Sequence, residues 1–556
     1  MKPYVLTMIE ATGIQDYIFG SNELAQNIGA SELVTQATSL WVFERLDEMS
    51  LQHNVSKPYV IENDTGQYAI SDESFLSGED RAEVIYASGG NALLLFHSEE
   101  KAKDFARRLT RRALADAPDL QLVVARQQGD WESDILKDML DNLRRKLARR
   151  KVDRPFSTPL TGLGVTAACA FTGLPAVARD PLDRKPPNQR RLISKVVQSK
   201  LKATEQGKER LRDVLRDVRD SDFEFIYDFD LFGTKGESSY IAVIHTDGNS
   251  MGARVKDIGA LFTRAEQNAD YVRALRAFSR SVNKAATRAL RSTVQVLLDK
   301  RNHTYRDNGK RLYIKDVVPV ARQNQHWQLP FRPIVFGGDD VTFVCEGRLG
   351  LLLAAKYLQV YSSHRLSDGK PAHARGGVAV VKSHFPFSRA YDLSERLANS
   401  AKKYIQERNE QGEEGLTAFD WHFAVSGLLL DLGATRQREY HVEDGQLYMR
   451  PYRLSDDSQD FAHAWSTLRH VMDDFQTKRE WAGRRNKIKA LRDALREGAP
   501  AVQRFLQVYR PPDVKEWRLP DWADNAEMPE KGWYIGECGY FDAIEALDFY
   551  VPLEGA

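Results

Sequence analysis

Cysteine is nearly absent: only Cys169, Cys345 and Cys538 occur among 556 residues, far apart and odd in number. That count excludes a disulfide framework or a CxxC zinc site within the chain and suits a reducing compartment. No zinc is expected, and the expected location is the cytoplasm. Long apolar runs are missing too. The first, Tyr4 to Ile9, stops at Glu10, and nothing approaches a membrane span, so no membrane role is expected. An excess of one charge is also lacking. The formal charge is +1, so any nucleic-acid binding must come from local patches rather than a global field. With 42% hydrophobic and 28% charged residues, the chain has a globular composition and is too long for one core. Two to four domains are expected.

What is present, first, is an internal repeat. "YVLTMIEATGIQDYIFG" (4–20) reads as a strand, a glycine turn and a helix, and so does "SYIAVIHTDGNSMGARV" (239–255). Further on, "VIYASGGNALLLF" (84–96) mirrors "PIVFGGDDVTFVC" (333–345): apolar strand, Gly-Gly turn, apolar strand. The first glycine precedes the Gly-Gly pair by 76 residues in one copy (13 to 89) and 89 in the other (248 to 337). The same elements in the same order at similar spacing argue for duplication. Helices are expected at 99–117, 349–361 and 387–408, the last with Ala390, Leu393, Leu397 and Ala401 on one face. Strands are expected at 120–126 and 374–381. This order predicts an α+β chain with two ferredoxin-like, split βαβ units.

The expected division is a first repeat at 1–130, a helix-rich connector at 131–235, a second repeat at 236–430 and a mostly helical portion at 431–556. Between Lys137 and Arg219 the connector holds 21 Lys/Arg against 9 Asp/Glu, broken at "DPLDRKPPNQ". It reads either as a solvated helical face or as a phosphate-backbone groove using Arg144, Arg145, Lys146, Arg149 and Arg150. In the C-terminal segment 478–498, Ile488, Leu491 and Leu495 mark a face packed on neighbouring helices.

The chemistry concentrates in the second copy. Asp247 ends an apolar strand, and Asp339 and Asp340 sit at a turn between two others. Three carboxylates converging on one sheet edge repel one another and raise each other's pKa. Mg²⁺ or Mn²⁺ relieves that repulsion with hard oxygen ligands, and two ions about 4 Å apart activate a hydroxyl and stabilise a leaving pyrophosphate. The expected metal set is Asp247, Gly248, Asp339 and Asp340. Gly337 and Gly338 permit positive φ and close approach of a triphosphate. Asn249, Ser250, Met251 and Gly252 open a helix whose amides suit an anion. Lys402 and Lys403, late in the helix from Phe387, are expected at the β- and γ-phosphates. Alone, a GGDD is a polar hairpin turn and the lysine pair a solvated helix end; together with the strand-end Asp they point to a metal site.

These residues resemble the large palm-domain subunit of type III CRISPR effector complexes and its free-standing relatives. The likeness runs from "GIQDYIF" and "ASELV" through GGDD to "AFDWHF" (418–423), covering most of residues 1–430. The resemblance implies two palm domains, the second catalytic, with conversion of ATP into cyclic oligoadenylate, and RNA or other subunits of a CRISPR-type complex as partners. It carries Asp247, Asp339 and Asp340 over as metal-binding acids. Many members place an HD-type nuclease ahead of the first palm. Here the chain begins at the palm strand and none of its 12 histidines precedes an Asp, so cleavage by that route is not expected. The inter-palm zinc ribbon is missing, and Asn249 stands where some palm enzymes place a second acid.

Aligned on glycines, Thr12 falls opposite Asp247, and Asn91 and Ala92 fall opposite Asp339 and Asp340. The first palm is therefore expected to bind no metal in that way. Thr12, Gly13, Gln15, Gly89, Gly90 and Asn91 are left either as scaffold or as a pocket for the nucleotide that donates its 3′-hydroxyl, and the resemblance favours the pocket. Two alternatives stand beside an ATP-cyclising nucleotidyltransferase: a GGDEF-type cyclic-dinucleotide synthase, and a non-catalytic nucleic-acid-binding scaffold. Unequal palms in one chain weigh against the first, and three intact acids against the second.

Overall fold

The computed structural model describes residues 2–72, 80–153, 164–232, 239–424, 431–454, 461–512, 514–515, 517–523 and 525–556. The expected limits at 235/236 and at 430 lie outside the described residues. Among these residues no helix is long and apolar enough to cross a membrane.

The first repeat runs β1 (Pro3–Thr12), α1 (Ile14–Phe19), α2 (Leu24–Thr38), β2 (Ala82–Ser88), β3 (Asn91–Phe96), α3 (Glu99–Asp116) and β4 (Gln121–Asp130). The connector supplies α4 (Leu136–Val152) and α5 (Lys195–Val214). The second repeat runs β5 (Tyr240–Gly248), α6 (Met251–Ala260), α7 (Asn268–Leu298), β6 (Phe331–Val335), β7 (Val341–Glu346), α8 (Gly350–Ser362), β8 (Ala374–Lys382), α9 (Phe387–Glu410) and β9 (Ala418–Ala424). The first sheet has order β2-β3-β1-β4 and the second contains β6-β7-β5-β8, the same antiparallel order. The second continues through β9, which pairs parallel to β8, and ends on Tyr452–Arg453. The duplicated split βαβ plan is therefore present.

Both faces of each sheet are covered, so the central strands are apolar nearly throughout instead of alternating with polar residues. On β1, Val5, Ile9 and Ala11 join the core shared with α2 and α3, while Tyr4, Leu6 and Met8 face the core containing Leu136, Leu140, Leu143 and Leu147 of α4. On β5, Ile241 and Val243 point to one core and Ala242 and Ile244 to the other.

Two features were not foreseen. Helix α7 is 31 residues long and packs on β2 of the first repeat and on α8 of the second. Its buried Arg276 donates to Glu83 Oε1 at 2.7 Å and to the Val84 carbonyl at 3.0 Å, fastening the repeats together. After it, strands at 303–306, 311–314, 318–323 and 326–329 form an antiparallel meander that Phe223–Phe225 joins in parallel.

The connector differs from both of its readings in part. Helix α5 is packed on α2 so closely that a Cβ on Gly29 would lie 1.7 Å from the Lys200 carbonyl oxygen. Arg210 Nε meets Glu32 Oε2 at 2.7 Å with both side chains buried, and Lys200 is buried as well. These cations belong to a packed interface. In the C-terminal portion, Ile488, Leu491 and Leu495 are buried on Arg485–Arg496, which packs on the neighbouring helices Ala499–Val508 and Gly539–Ala546.

Candidate active site

The register of the second sheet brings the three acids to one end. Thr246 pairs with Val341, so Asp247 lies beside the turn that precedes β7. The Gly248 N–H then donates to the Asp339 carbonyl at 3.1 Å. Gly337 and Gly338 adopt φ of +108° and +92°, as the turn requires. At Gly248 a side chain is excluded, since a Cβ would lie 2.8 Å from the Asp339 Cβ and 2.6 Å from the Met251 Cε.

Burial, followed by the nearby Asp247 charge, pushes Asp339 and Asp340 up to about 7. The Asp340 side chain is 48% exposed, so contact with solvent moderates the burial contribution, but Asp247 acts in the same direction. Asp340 Oδ1 has no hydrogen-bond partner. His245 Nδ1 lies 3.4 Å from it, and burial lowers the histidine pKa, which favours the neutral ring. Glu395 of α9 adds to the negative field at Asp340. Asp247 is paired instead: Arg375 Nη2, opposite it on β8, donates to Asp247 Oδ2.

The donor set is all oxygen, which suits Mg²⁺ or Mn²⁺ and not zinc, and the unpartnered Asp340 oxygen is a free donor. Among the described residues, however, no group of three or more His, Cys, Asp or Glu side chains is arranged to hold a metal. The acids fit the ion in kind, with Asp247 committed to Arg375.

The remaining expected residues divide. Asn249 is locked in place: its N–H donates to the His373 carbonyl at 2.8 Å, Nδ2 to the Leu416 carbonyl at 3.2 Å, and Oδ1 accepts from Arg375 at 3.2 Å. Ser250 is exposed at φ +59° before α6; Met251 is half-buried and Gly252 is exposed. Lys402 and Lys403 are both exposed, and Lys403 lies 3.7 Å from Glu407 instead of contacting the acids.

On the first-repeat side, Gln15 Nε2 donates to Glu395 Oε1 at 3.3 Å, and the Phe19 ring stacks on Tyr391 at 3.8 Å. Thr12 is half-buried, and the exposed Gly13 has φ +63°. Gly89 and Gly90 turn at φ +63° and +78°, and Asn91 Nδ2 donates to the Gly89 carbonyl at 3.4 Å. The two glycine turns abut: a Cβ on Gly338 would lie 3.7 Å from the Gly89 Cα.

One expected correspondence is corrected. Glu10 pairs with Asn91, and His245 pairs with Thr342. With Thr12 opposite Asp247, Asn91 therefore matches Thr342, not Asp339, and Ala92 does not match Asp340. Between the closing pairs Ser88–Asn91 and Val335–Thr342, the first turn has two residues (89–90) and the second has six (336–341). The acids sit on an extension that the first turn lacks. Glycine spacing in the sequence hides this because both turns happen to carry Gly-Gly.

On α4, Arg145, Lys146, Arg149 and Arg150 are exposed and Arg144 is half-buried, 3.6 Å from Asp141. Arg150 also donates to the Val124 carbonyl. Residues that the sequence reading missed are Arg375, His245, Glu395 and Asn283. A charged second residue in "ARGGVAVV" and a histidine inside "AVIHTD" were the available signals, since a buried strand excludes polar groups that lack a purpose.

No protein-family profile matches the sequence, and no curated protein does. Among solved structures, Csm1 of the apo Csm1–Csm4 cassette superposes with a TM-score of 0.50 at 11% identity, covering 98% of this chain and 70% of that one. The chain has the Csm1 fold. The Csm1–Csm4 cassette in complex with cA4 gives a TM-score of 0.48 at 11% identity, over 98% and 69% of the two chains. The cassette with one ATP gives 0.45 at 12% identity, over 99% and 70%.

Proposed function

We propose that this Csm1-like chain is a metal-dependent nucleotidyltransferase that joins and cyclises ATP into a cyclic oligoadenylate messenger for antiviral defence. The observation that carries the reading is the convergence of Asp247, Asp339 and Asp340 at one sheet end, with two carboxyls pushed up to about 7. A cluster this costly has little use in a scaffold. The Csm1 fold and the "GIQDYIF" to "AFDWHF" resemblance agree with it.

Asp247, Asp339, Asp340 and the Gly248 backbone would hold two Mg²⁺ or Mn²⁺ ions. When bound, they supply Lewis acidity for the acceptor hydroxyl and for the leaving pyrophosphate. The residues of the chain bind and orient. The positive-φ turn at Gly337 and Gly338 admits phosphate close to the backbone. The amides of Ser250, Met251 and Gly252, opening α6, face the donor triphosphate, while the Asn249 N–H stays bonded to the His373 carbonyl and shapes the turn. Lys402 and Lys403 offer long-range positive charge. Thr12, Gly13, Gln15, Gly89, Gly90 and Asn91 hold the acceptor, whose 3′-oxygen forms the new bond to the donor α-phosphorus as pyrophosphate departs. Alignment of the two reactants supplies several kcal/mol of the rate acceleration.

The same reading makes a Csm4-type subunit a partner and the exposed face of α4 an RNA-binding surface. A scaffold role is the second reading, and the Asp247–Arg375 pairing is the observation that favours it. Incubation with Mn²⁺ and each NTP, followed by mass spectrometry, separates the two. A cyclic oligoadenylate supports the proposal, a cyclic dinucleotide redirects it to the GGDEF type, and unchanged NTPs favour the scaffold.

A further inference from the structure

Asp247 and Arg375 face each other on adjacent antiparallel strands, so the pair is set by the sheet register and not by flexible loops. Both side chains are largely enclosed, 28% and 11% exposed, and Arg375 Nη2 is bonded to Asp247 Oδ2. The guanidinium has other acceptors within reach. Its Nη1 lies 3.2 Å from Asn249 Oδ1 and 3.4 Å from the Gly248 carbonyl. Asn249 Oδ1, which lies outside the proposed metal set, keeps the arginine anchored when its carboxylate leaves. Asn249 is also the residue that stands where some palm enzymes carry an acid. An Asp there would fix the arginine more firmly, whereas the neutral amide holds it loosely.

The charge balance gives the arrangement a reason. With no metal, Asp247, Asp339, Asp340 and the nearby Glu395 crowd one sheet end. Arg375 is a cation in contact with this group, and the carboxylate that it neutralises is Asp247.

We infer that Arg375 is a displaceable counter-ion that holds Asp247 out of metal coordination until a divalent cation replaces it, and so sets the metal affinity of the site. The inference rests on the metal-dependent reading above, yet it concerns the metal-free protein. A cation that claims Asp247 must first break a charge-assisted hydrogen bond in a partly enclosed site, which lowers affinity about tenfold or more.

The test is titration of the full chain with Mn²⁺ alone, without nucleotide, reading free Mn²⁺ by electron paramagnetic resonance. Arg375→Gln is expected to bind Mn²⁺ at least tenfold more tightly than wild type, and Arg375→Lys about threefold. In an Asp247→Asn background the Arg375→Gln change loses its effect. Affinity unchanged or weakened in a folded Arg375→Gln overturns the inference, as does an effect that persists without Asp247. Should Arg375→Gln not fold, an unchanged affinity in Arg375→Lys decides against it. Wild-type protein that binds Mn²⁺ but leaves every NTP intact defeats the nucleotidyltransferase reading, and the Mn²⁺ comparison still decides the role of Arg375.

Discussion

Asn283 Oδ1 accepts a hydrogen bond from the Gly338 N–H at 2.7 Å, and its Nδ2 donates to Ser88 Oγ at 3.3 Å. One buried amide on α7 thereby ties the acid-bearing turn to the strand before the first glycine turn. Asn283→Leu keeps the volume and leaves the Gly338 N–H unpaired, at a cost of about 1–3 kcal/mol. Denaturant melts are expected to show that loss, with slower product formation. Wild-type stability would mean that water replaces the amide.

The glycine turns call for different probes on the two sides. Gly89 has φ +63° and open space around a Cβ, so Gly89→Ala costs only backbone strain, about 1 kcal/mol. A Cβ on Gly90 would lie 2.7 Å from Ile14 Cδ1, so Gly90→Trp displaces Ile14 and disturbs α1. Acceptor binding is therefore tested best with larger residues at Gly89. Those are expected to raise the apparent KM for the acceptor nucleotide while sparing Mn²⁺ binding; an unaltered KM would return this side to scaffold.

Lys200 provides a pH signature of the connector interface. Its Nζ donates to the Tyr17 carbonyl at 2.6 Å, and burial lowers its pKa to about 8. Below that pH the buried charge is held at full cost. Between about 8 and the unfolded value near 10.5, the unfolded chain binds more protons than the folded one, so this group's contribution to stability rises with pH. Lys200→Met removes it. The stability difference between wild type and variant is expected to shift in favour of wild type by on the order of 1.5 kcal/mol from pH 8 to 9.5. A pH-independent difference would show that Lys200 stays charged in the fold.

The split βαβ plan was legible because both copies keep apolar strands, glycine turns and one amphipathic helix at matching spacing. The acids were legible because a buried strand that ends in Asp, followed by GGDD, has few structural uses. What escaped depends on contacts between distant segments. Arg375 and Asp247 are 128 residues apart, and only the pairing of β5 with β8 unites them. Helix α7 was not among the segments expected from the sequence, and nothing local marks Asn283 as the link between the acid-bearing turn and Ser88. The connector was read from charge alone, which cannot distinguish Arg210, buried on Glu32, from the exposed Lys146.

For α4, the exposed Arg145, Lys146 and Arg149 carry the RNA expectation. Replacing all three with Ala is expected to weaken RNA binding uniformly across sequences and to reduce the salt slope by about 2–3. An unchanged slope would return the helix to a solvated face.

The most direct test of the account is product analysis of wild type beside Asp339→Ala/Asp340→Ala, each incubated with Mn²⁺ and ATP. The double variant removes repelling charges at a turn and not a core contact, so it is expected to fold and melt no lower than wild type without metal. Wild type should release pyrophosphate and a cyclic oligoadenylate, and the double variant neither. Full product formation by the folded double variant would contradict the assignment of the active site.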